Sequence, residues 1–302
     1  MKILITGGAG FIGRYLSKYL LERNHQVTIL DNFSNSKKEN LNHILKFKPK
    51  IIDGDINRME DIERSIKNQE IVIHLAAKIS VLESIKNPRE TFRTNVEGTK
   101  KVITTAQKNK IKKIIIASSA AIYGNINGGK KLTETSKIYP ISPYGDSKSQ
   151  MEKFIISRLH NSELKFDILR FFNIFGEGQT SEYSGVITKF IENINKNQSI
   201  KINGDGLQTR DFIFIDDVIQ SIDHSIQKIN NKSNIYNIAS GKSITIKKLA
   251  EELIKFSKKT IDIKFELEQK GEIKYSKASI ELAKNELNFK PKYGLNNLKH
   301  YF

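Results

Sequence analysis

Cysteine is absent from all 302 residues. That excludes thiolate nucleophiles, thiolate metal ligands and disulfide staples, and no metal is expected. A chain of this length buries about 75% of its unfolded surface and needs no staple. Also missing is any apolar run near the ~20 residues of a membrane span. Residue 1 leads at once into a strand-like apolar run, leaving no room for a signal peptide, so a cytoplasmic protein without membrane partners is expected. There is no internal repeat, low-complexity tract or clean interdomain linker. Acidic residues are scarce beside basic ones, 33 against 50, for a net charge of +17. Such an excess attracts nucleic acid when gathered in one stripe. Here the lysines are scattered (Lys37-Lys38, Lys112-Lys113, Lys130-Lys131, Lys247-Lys248, Lys258-Lys259). They read as a solvated surface that also suits an anionic small molecule, and no nucleic-acid partner is expected.

What the chain does have is concentrated at its start. Lys2–Thr6 is an apolar run of strand length, followed by Gly7-Gly8-Ala9-Gly10-Phe11-Ile12-Gly13. Tyr15, Leu16, Tyr19 and Leu20 then recur at helical spacing, and Val27–Leu30 makes a second strand ending at Asp31. Strand, glycine turn, helix, strand and acid is the order a dinucleotide site requires. Gly7, Gly10 and Gly13 let the backbone approach a pyrophosphate, and the helix opening near Gly10 aims N–H groups and a positive dipole end at it. A carboxylate at Asp31 accepts from both adenosine ribose hydroxyls and repels a 2′-phosphate, so NAD is favoured over NADP.

Strand–helix alternation continues. Asn32–Ser36 is a loop able to wrap a ribose, and Lys50–Asp53 a third strand leading to Gly54-Asp55-Ile56. Asp55 meets the adenine amino group or caps the helix Met59–Ile66. Glu70–Leu75 is a fourth strand, and Ala76-Ala77 let a cofactor lie against the backbone. His74, inside that strand, reads as a packed core histidine. Asn87-Pro88 opens one long helix to about Asn109. Its Thr91, Asn95 and Thr99 form a polar line satisfied either by a ligand or by helix–loop hydrogen bonds. Lys113–Ala117 is the fifth strand and Phe166–Leu169 the sixth.

The fold class is therefore α/β, a Rossmann-type doubly wound parallel sheet with a smaller discontinuous α/β C-terminal substrate domain. Residues 1–173 form the nucleotide-binding domain, 211–238 return to it, and 174–302 supply the substrate side.

Tyr144 and Lys148 stand one turn apart at a helix start, on one face. A free tyrosine titrates at roughly 10 and is a poor base at neutral pH. A neighbouring ammonium favours the phenolate. With Ser119 at the end of the fifth strand, the three make a proton-transfer unit beside a hydride acceptor.

The segments TGGAGFIG (6–13), DNFSNS (31–36), GDI (54–56), HLAA (74–77), NVEGT (95–99), SSAAIYG (118–124), SPYGDSK (142–148), RFFNIFGEGQ (170–179) and GDGLQTRDFIFIDDV (204–218) resemble the NAD-dependent epimerase/dehydratase family of extended short-chain dehydrogenase/reductases. The resemblance covers nearly the whole chain. It implies a sugar-nucleotide enzyme that keeps its NAD, most similar in motif to UDP-glucose 4-epimerases, with a UDP-sugar as partner. Gly7, Gly10, Phe11, Ile12 and Gly13 would hold the pyrophosphate. Asp31, Asn32, Asn35 and Ser36 would hold the ribose, and Asp55-Ile56 the adenine, with Leu75, Ala76, Ala77, Asn95, Tyr144 and Lys148 also facing the cofactor. Asn173 and Arg210 would meet the substrate diphosphate, whose fork-shaped partner an arginine suits. Ser80, Ser119, Tyr144, Val186, Ile202, Lys270 and Ser276 complete the implied substrate site.

Where dehydratases of the family carry an Asp-Glu pair, this chain has Ala120-Ala121, which removes the acid and base that dehydration needs. Gln269-Lys270-Gly271-Glu272 replaces the family's Arg-x-Gly-Asp, and a small Ser276 implies room for a 2-N-acetyl group. Activity is therefore expected on UDP-glucose and UDP-galactose and on their N-acetyl forms, with a UDP-uronic acid epimerase or an idle NAD-binding regulator as alternatives. The resemblance also implies a homodimer built on the helices near 88–109 and 144–160.

Overall fold

A computed structural model describes residues 1–125, 130–179, 185–228, 232–268 and 273–302. Its central element is a seven-stranded parallel sheet. In chain order the strands are β1 (Lys2–Thr6), β2 (Gln26–Asp31), β3 (Lys50–Asp53), β4 (Ile71–His74), β5 (Lys113–Ser119) and β6 (Lys165–Phe171), with β10 (Asn234–Ile238) joining later. The spatial order is β10-β6-β5-β4-β1-β2-β3. The inner strands β1, β2 and β4 are buried on both faces and read as near-continuous apolar runs. Ile3 and Ile5 point into one core and Leu4 into the other.

Helix α1 (Phe11–Leu21) buries Leu16 and Leu20 in the first core. On the opposite face α2 (Met59–Ile66) contributes Ile62 and Ile66. Between β4 and β5 the chain forms α3 (Val81–Lys86), α4 (Pro88–Phe92) and α5 (Thr99–Lys108). The single helix expected from 87 to 109 is thus interrupted, by a π-helical segment at Arg93–Gly98. The cause is visible. The Asn95 amide is drawn out to the Lys78 backbone, and Thr99 Oγ1 donates to the Asn95 carbonyl at 2.7 Å. Side-chain bonds of this kind compete with the helical ladder.

Helix α6 (Pro143–Leu159) follows, its start fixed by Ser142, whose hydroxyl accepts from Gly145 N at 3.1 Å, and by Pro143 in the first turn. Its Met151, Ile155 and Leu159 complete the second core.

Beyond β6 the sheet gives way to smaller units. β7 (Asn173–Phe175), α7 (Val186–Asn195), β8 (Ile200–Asn203), β9 (Thr209–Phe214) and α8 (Ile215–Gln227) precede β10. β11 (Ser243–Thr245), α9 (Ile246–Ser257), β12 (Ile263–Glu266) and α10 (Glu281–Leu287) follow it. The stretch 211–238 therefore divides. β10 pairs with β6 at the edge of the large sheet and α8 packs on α1. β9 instead lies between β11 and β7 in a separate three-stranded sheet, and β12 pairs with β8. β9 cannot join the large sheet because its parallel neighbour is β7, only one residue beyond the end of β6. Residues 180–184 and Ile229, read from sequence as loop and helix end, lie outside the described residues.

Candidate active site

The carboxyl ends of the parallel strands open onto a cleft of about 1080 Å³, where open α/β sheets place their ligands. Small-molecule pockets run to roughly 300–1,000 Å³, so this one has room for two adjacent ligands.

One half is built from the first βαβ unit. Gly7 adopts φ +71°, and a Cβ there would stand 2.7 Å from Ala76 N. At Gly13 a Cβ would fall 2.3 Å from the Gly7 carbonyl oxygen. The turn is thus pressed backbone to backbone against the end of β4. Gly10 caps α1 without any side-chain bond, so the helix start is left to an anion. This is a cradle that fits a dinucleotide pyrophosphate. Asp31 accepts from Ala9 N (2.9 Å), Phe33 N (2.8 Å) and Ser36 Oγ (3.2 Å). Asn35 and Ile56 lie on the same wall. Asp55 accepts from Asn32 Nδ2 at 3.1 Å and from Asn57 N and Nδ2 at 2.8 and 3.0 Å. It does not cap α2, whose cap position is Arg58. Leu75, Ala76 and Ala77 also line the cleft.

The chemical centre lies where β5 meets α6. Ser119 and Tyr144 meet on the cleft wall, and the serine hydroxyl also accepts from Ala121 N at 3.2 Å. Lys148 Nζ donates to the Ala117 carbonyl at 2.9 Å and is 4% exposed. Burial lowers the Lys148 ammonium to about 8, against a restraining pull from Glu152. Within the protein itself the electrostatics differ from the expectation that a neighbouring ammonium lowers the phenol. Burial pushes Tyr144 above the ordinary phenol range, and the Ser119 hydroxyl draws it back. The lysine is held at the end of β5 by the Ala117 carbonyl. Bound NAD supplies a hydride acceptor and a positive ring, and that charge favours the phenolate.

The second half of the cleft carries Asn173, Val186, Ile202 and Arg210. Asn173 Nδ2 donates to the Asp211 carbonyl at 3.1 Å, and Arg210 Nη1 to the Thr209 carbonyl at 2.9 Å. The Asp211 carboxyl itself is fully buried, receives Ser240 N, Ser240 Oγ and Ala278 N, and is raised by burial to about 6.

Three of the expected residues do not line the cleft. Asn95 is 1% exposed and behind the wall, its amide shared between the Lys78 backbone and Ser147. Ser80 caps α3 by accepting from Glu83 N. Ser276 is 5% exposed, its N–H turned to Thr209 Oγ1, and is not part of the cleft wall, so its small size does not measure the sugar pocket. Lys270 lies outside the described residues. The polar line on 87–109 is satisfied within the protein: Thr91 by the Asn87 carbonyl, Asn95 as above, and Thr99 by the Asn95 carbonyl and His74. His74 is a core residue, held between Thr6 and Thr99 and driven by burial to about 3.

Sequence reading overlooked Arg14, Asn57 and Lys78 on the cleft wall. Arg14 immediately follows Gly13, a position from which a cation on the first helical turns could have been inferred. Its guanidinium donates to the Glu177 carbonyl at 2.7 Å and joins α1 to the loop after β7.

Comparison with known proteins agrees with this architecture. A family model described as the NAD dependent epimerase/dehydratase family matches residues 3–239. A Methanocaldococcus jannaschii protein, provisionally named a UDP-glucose 4-epimerase, is 39% identical over 281 residues, 91% of this chain and 85% of its own length. The crystal structure of the Thermotoga maritima UDP-glucose 4-epimerase with UDP-glucose superposes with a TM-score of 0.94 at 31% identity, covering 100% of this chain and 97% of that one. The Methanobrevibacter ruminantium UDP-N-acetylglucosamine 4-epimerase, solved with UDP-N-acetylmuramic acid, gives 0.91 at 35% identity over 99% and 95% of the two chains. Glycine cradle, strand-end acid and serine–tyrosine–lysine centre thus sit on a shared scaffold, and the chain belongs to the NAD-dependent epimerase/dehydratase family of sugar-nucleotide enzymes.

Proposed function

We propose that the protein interconverts UDP-hexoses at C4, UDP-glucose with UDP-galactose, by reversible oxidation. The observation carrying this reading is the convergence of Ser119, Tyr144 and Lys148 in the same cleft as the glycine cradle. Tyr144 takes the proton of the sugar O4 and returns it, and Ser119 orients that hydroxyl. Lys148 keeps the ribose side of the cofactor in place and stabilises negative charge near the phenol. Asn173 and Arg210 hold the diphosphate, about which the 4-keto sugar turns to present its other face. Ala120 and Ala121 carry no acid, so nothing at that position expels water from the sugar. Dehydration is thereby disfavoured against epimerisation.

A second reading, turnover of the 2-N-acetyl forms, is supported by the likeness to the Methanobrevibacter enzyme. A homodimer in the cytoplasm, with helices of 88–108 and 143–159 at its interface, belongs to the same proposal and is checked by light scattering. The catalytic reading is tested with Tyr144→Phe. This variant should bind NAD normally and lose turnover by at least about a hundredfold, within the range of positioned acid–base catalysis. Near-normal turnover would remove Tyr144 as the base. Incubation with UDP-glucose, UDP-N-acetylglucosamine and UDP-glucuronate, products read by NMR, fixes the sugar.

A further inference from the structure

Three consecutive residues at the end of β5 hold three successive turns of α6. Ser119 meets Tyr144, the Ala117 carbonyl accepts from Lys148, and the Ser118 hydroxyl donates to Glu152. Glu152 takes no part in the proton transfer described above, yet it is 1% exposed. Arg170 of β6 closes on it from the other side. Its Nε lies 3.1 and 3.2 Å from the two carboxylate oxygens, and Nη2 lies 2.7 Å from one of them. Arg170 Nη1 donates to the Tyr123 hydroxyl and the Glu134 carbonyl, both at 2.8 Å, and the Tyr123 hydroxyl donates to Asn237 Oδ1 at 2.7 Å. The cluster therefore ties α6 to β5, β6 and β10.

Buried ion pairs are seldom worth more to stability than apolar residues of the same volume. The placement of this one, a single helical turn beyond Lys148, indicates another use. An enclosed ammonium tends to shed its proton, and a nearby carboxylate opposes that loss. The titratable groups around Lys148 are Tyr144 and Glu152 on α6 and His74 on β4, with Arg170 behind Glu152. His74 is neutral, so Glu152 is the acid among them.

We propose that Glu152 is a positioning residue of the reaction: clamped by Arg170 and Ser118, one helical turn beyond Lys148, its carboxylate sets α6 and the Lys148 ammonium in register with Ser119. This rests on Tyr144 and Lys148 being the proton-transfer pair. The test follows the ionisation of Lys148 in the NAD-loaded protein by NMR of labelled lysine, with the signal assigned by its loss in Lys148→Met. That readout needs no sugar substrate, so its failure is distinct from a failure of the epimerase reading.

In Glu152→Gln the Lys148 titration should fall by about one pH unit. kcat should drop about tenfold at neutral pH, with KM changed by less than about twofold, as expected when a transition-state interaction is lost. Glu152→Gln leaves Arg170 without its counter-charge and can unfold. The pair Glu152→Gln/Arg170→Met removes both charges and should fold, with a Lys148 titration that stays below wild type but falls by less than in Glu152→Gln. A Lys148 titration unmoved in a folded variant overturns the proposal. So does a lowered titration with undiminished kcat, or a paired variant restored to the wild-type profile.

Discussion

Asp31 offers the sharpest test of how the cofactor is chosen. Its carboxylate is 9% exposed and receives Ala9 N, Phe33 N and Ser36 Oγ. A carboxylate has about four acceptor sites. Three are occupied by the protein, so one strong site remains for a ribose hydroxyl unless Ser36, the longest of the three contacts, yields. Asp31 thus does two things: it shapes the glycine turn through Ala9 and selects the ribose. Asp31→Asn removes the charge and keeps the shape. A hydrogen bond to a charged group is worth about 1.5–3 kcal/mol, so losing one predicts NAD affinity weaker by roughly 10- to 100-fold. NADP should behave oppositely, because a like-charge contact costing several kcal/mol disappears. The NAD-over-NADP preference should therefore shrink by at least about a hundredfold, the sum of the two effects. Asp31→Ala should also lower thermal stability, since the buried Ala9 N–H loses its acceptor at about 1–3 kcal/mol. Calorimetric titration with both nucleotides decides the matter. An unchanged preference would refute the assignment of Asp31 to the ribose.

Gly13→Ala places a methyl group against the Gly7 carbonyl oxygen and Gly8 Cα, 2.3 and 2.6 Å away, and backbone cannot step aside. We predict NAD affinity reduced more than about tenfold, a loss of at least ~1.4 kcal/mol, and wild-type affinity would contradict the cradle. Lys113 and Asp167 form a buried pair at 2.6 Å, 1% and 2% exposed; Asp167→Asn should cost about 3–5 kcal/mol in urea unfolding because it strands a buried ammonium, and an unmoved midpoint would refute this. Asp211 is raised by burial to about 6, whereas an unfolded aspartate titrates near 4. The folded state therefore holds this proton more tightly, so the contribution favours folding at low pH. It is lost as pH rises from about 4 through about 6, on the order of 3 kcal/mol in all. Asp211→Asn should flatten that part of the stability profile, and an unaltered slope between wild type and variant would reject the assignment.

Much of the cleft was legible in sequence because its chemistry is local. Gly7, Gly10 and Gly13 lie within one turn, Asp31 ends the next strand, and Tyr144 and Lys148 share a helical face. Such features need only short-range geometry to be placed. Placement is not legible where long-range pairing decides. Ser276 was read as a pocket residue, but its N–H reaches Thr209, and the Thr209 N–H in turn pairs with the Lys274 carbonyl. No periodicity announces that register. Asn95 stood on a polar stripe whose partner could have been ligand or backbone, and only the approach of Lys78 resolves it. β9 reads as an ordinary sheet strand, yet its register with β7 sends it to a different sheet. The Tyr144 ionisation depends on depth of burial, which spacing does not report. The clamp of Arg170 on Glu152 joins β6 to α6, a pairing that helical spacing does not report.

The most direct measurement follows the hydrogen at C4. UDP-galactose carrying deuterium at C4 is incubated with the purified NAD-loaded protein, and the product is read by NMR. The account predicts UDP-glucose with the deuterium still on C4, returned to the opposite face within one site. Deuterium lost to water or to free reduced cofactor, or no epimerised sugar at all, would contradict it.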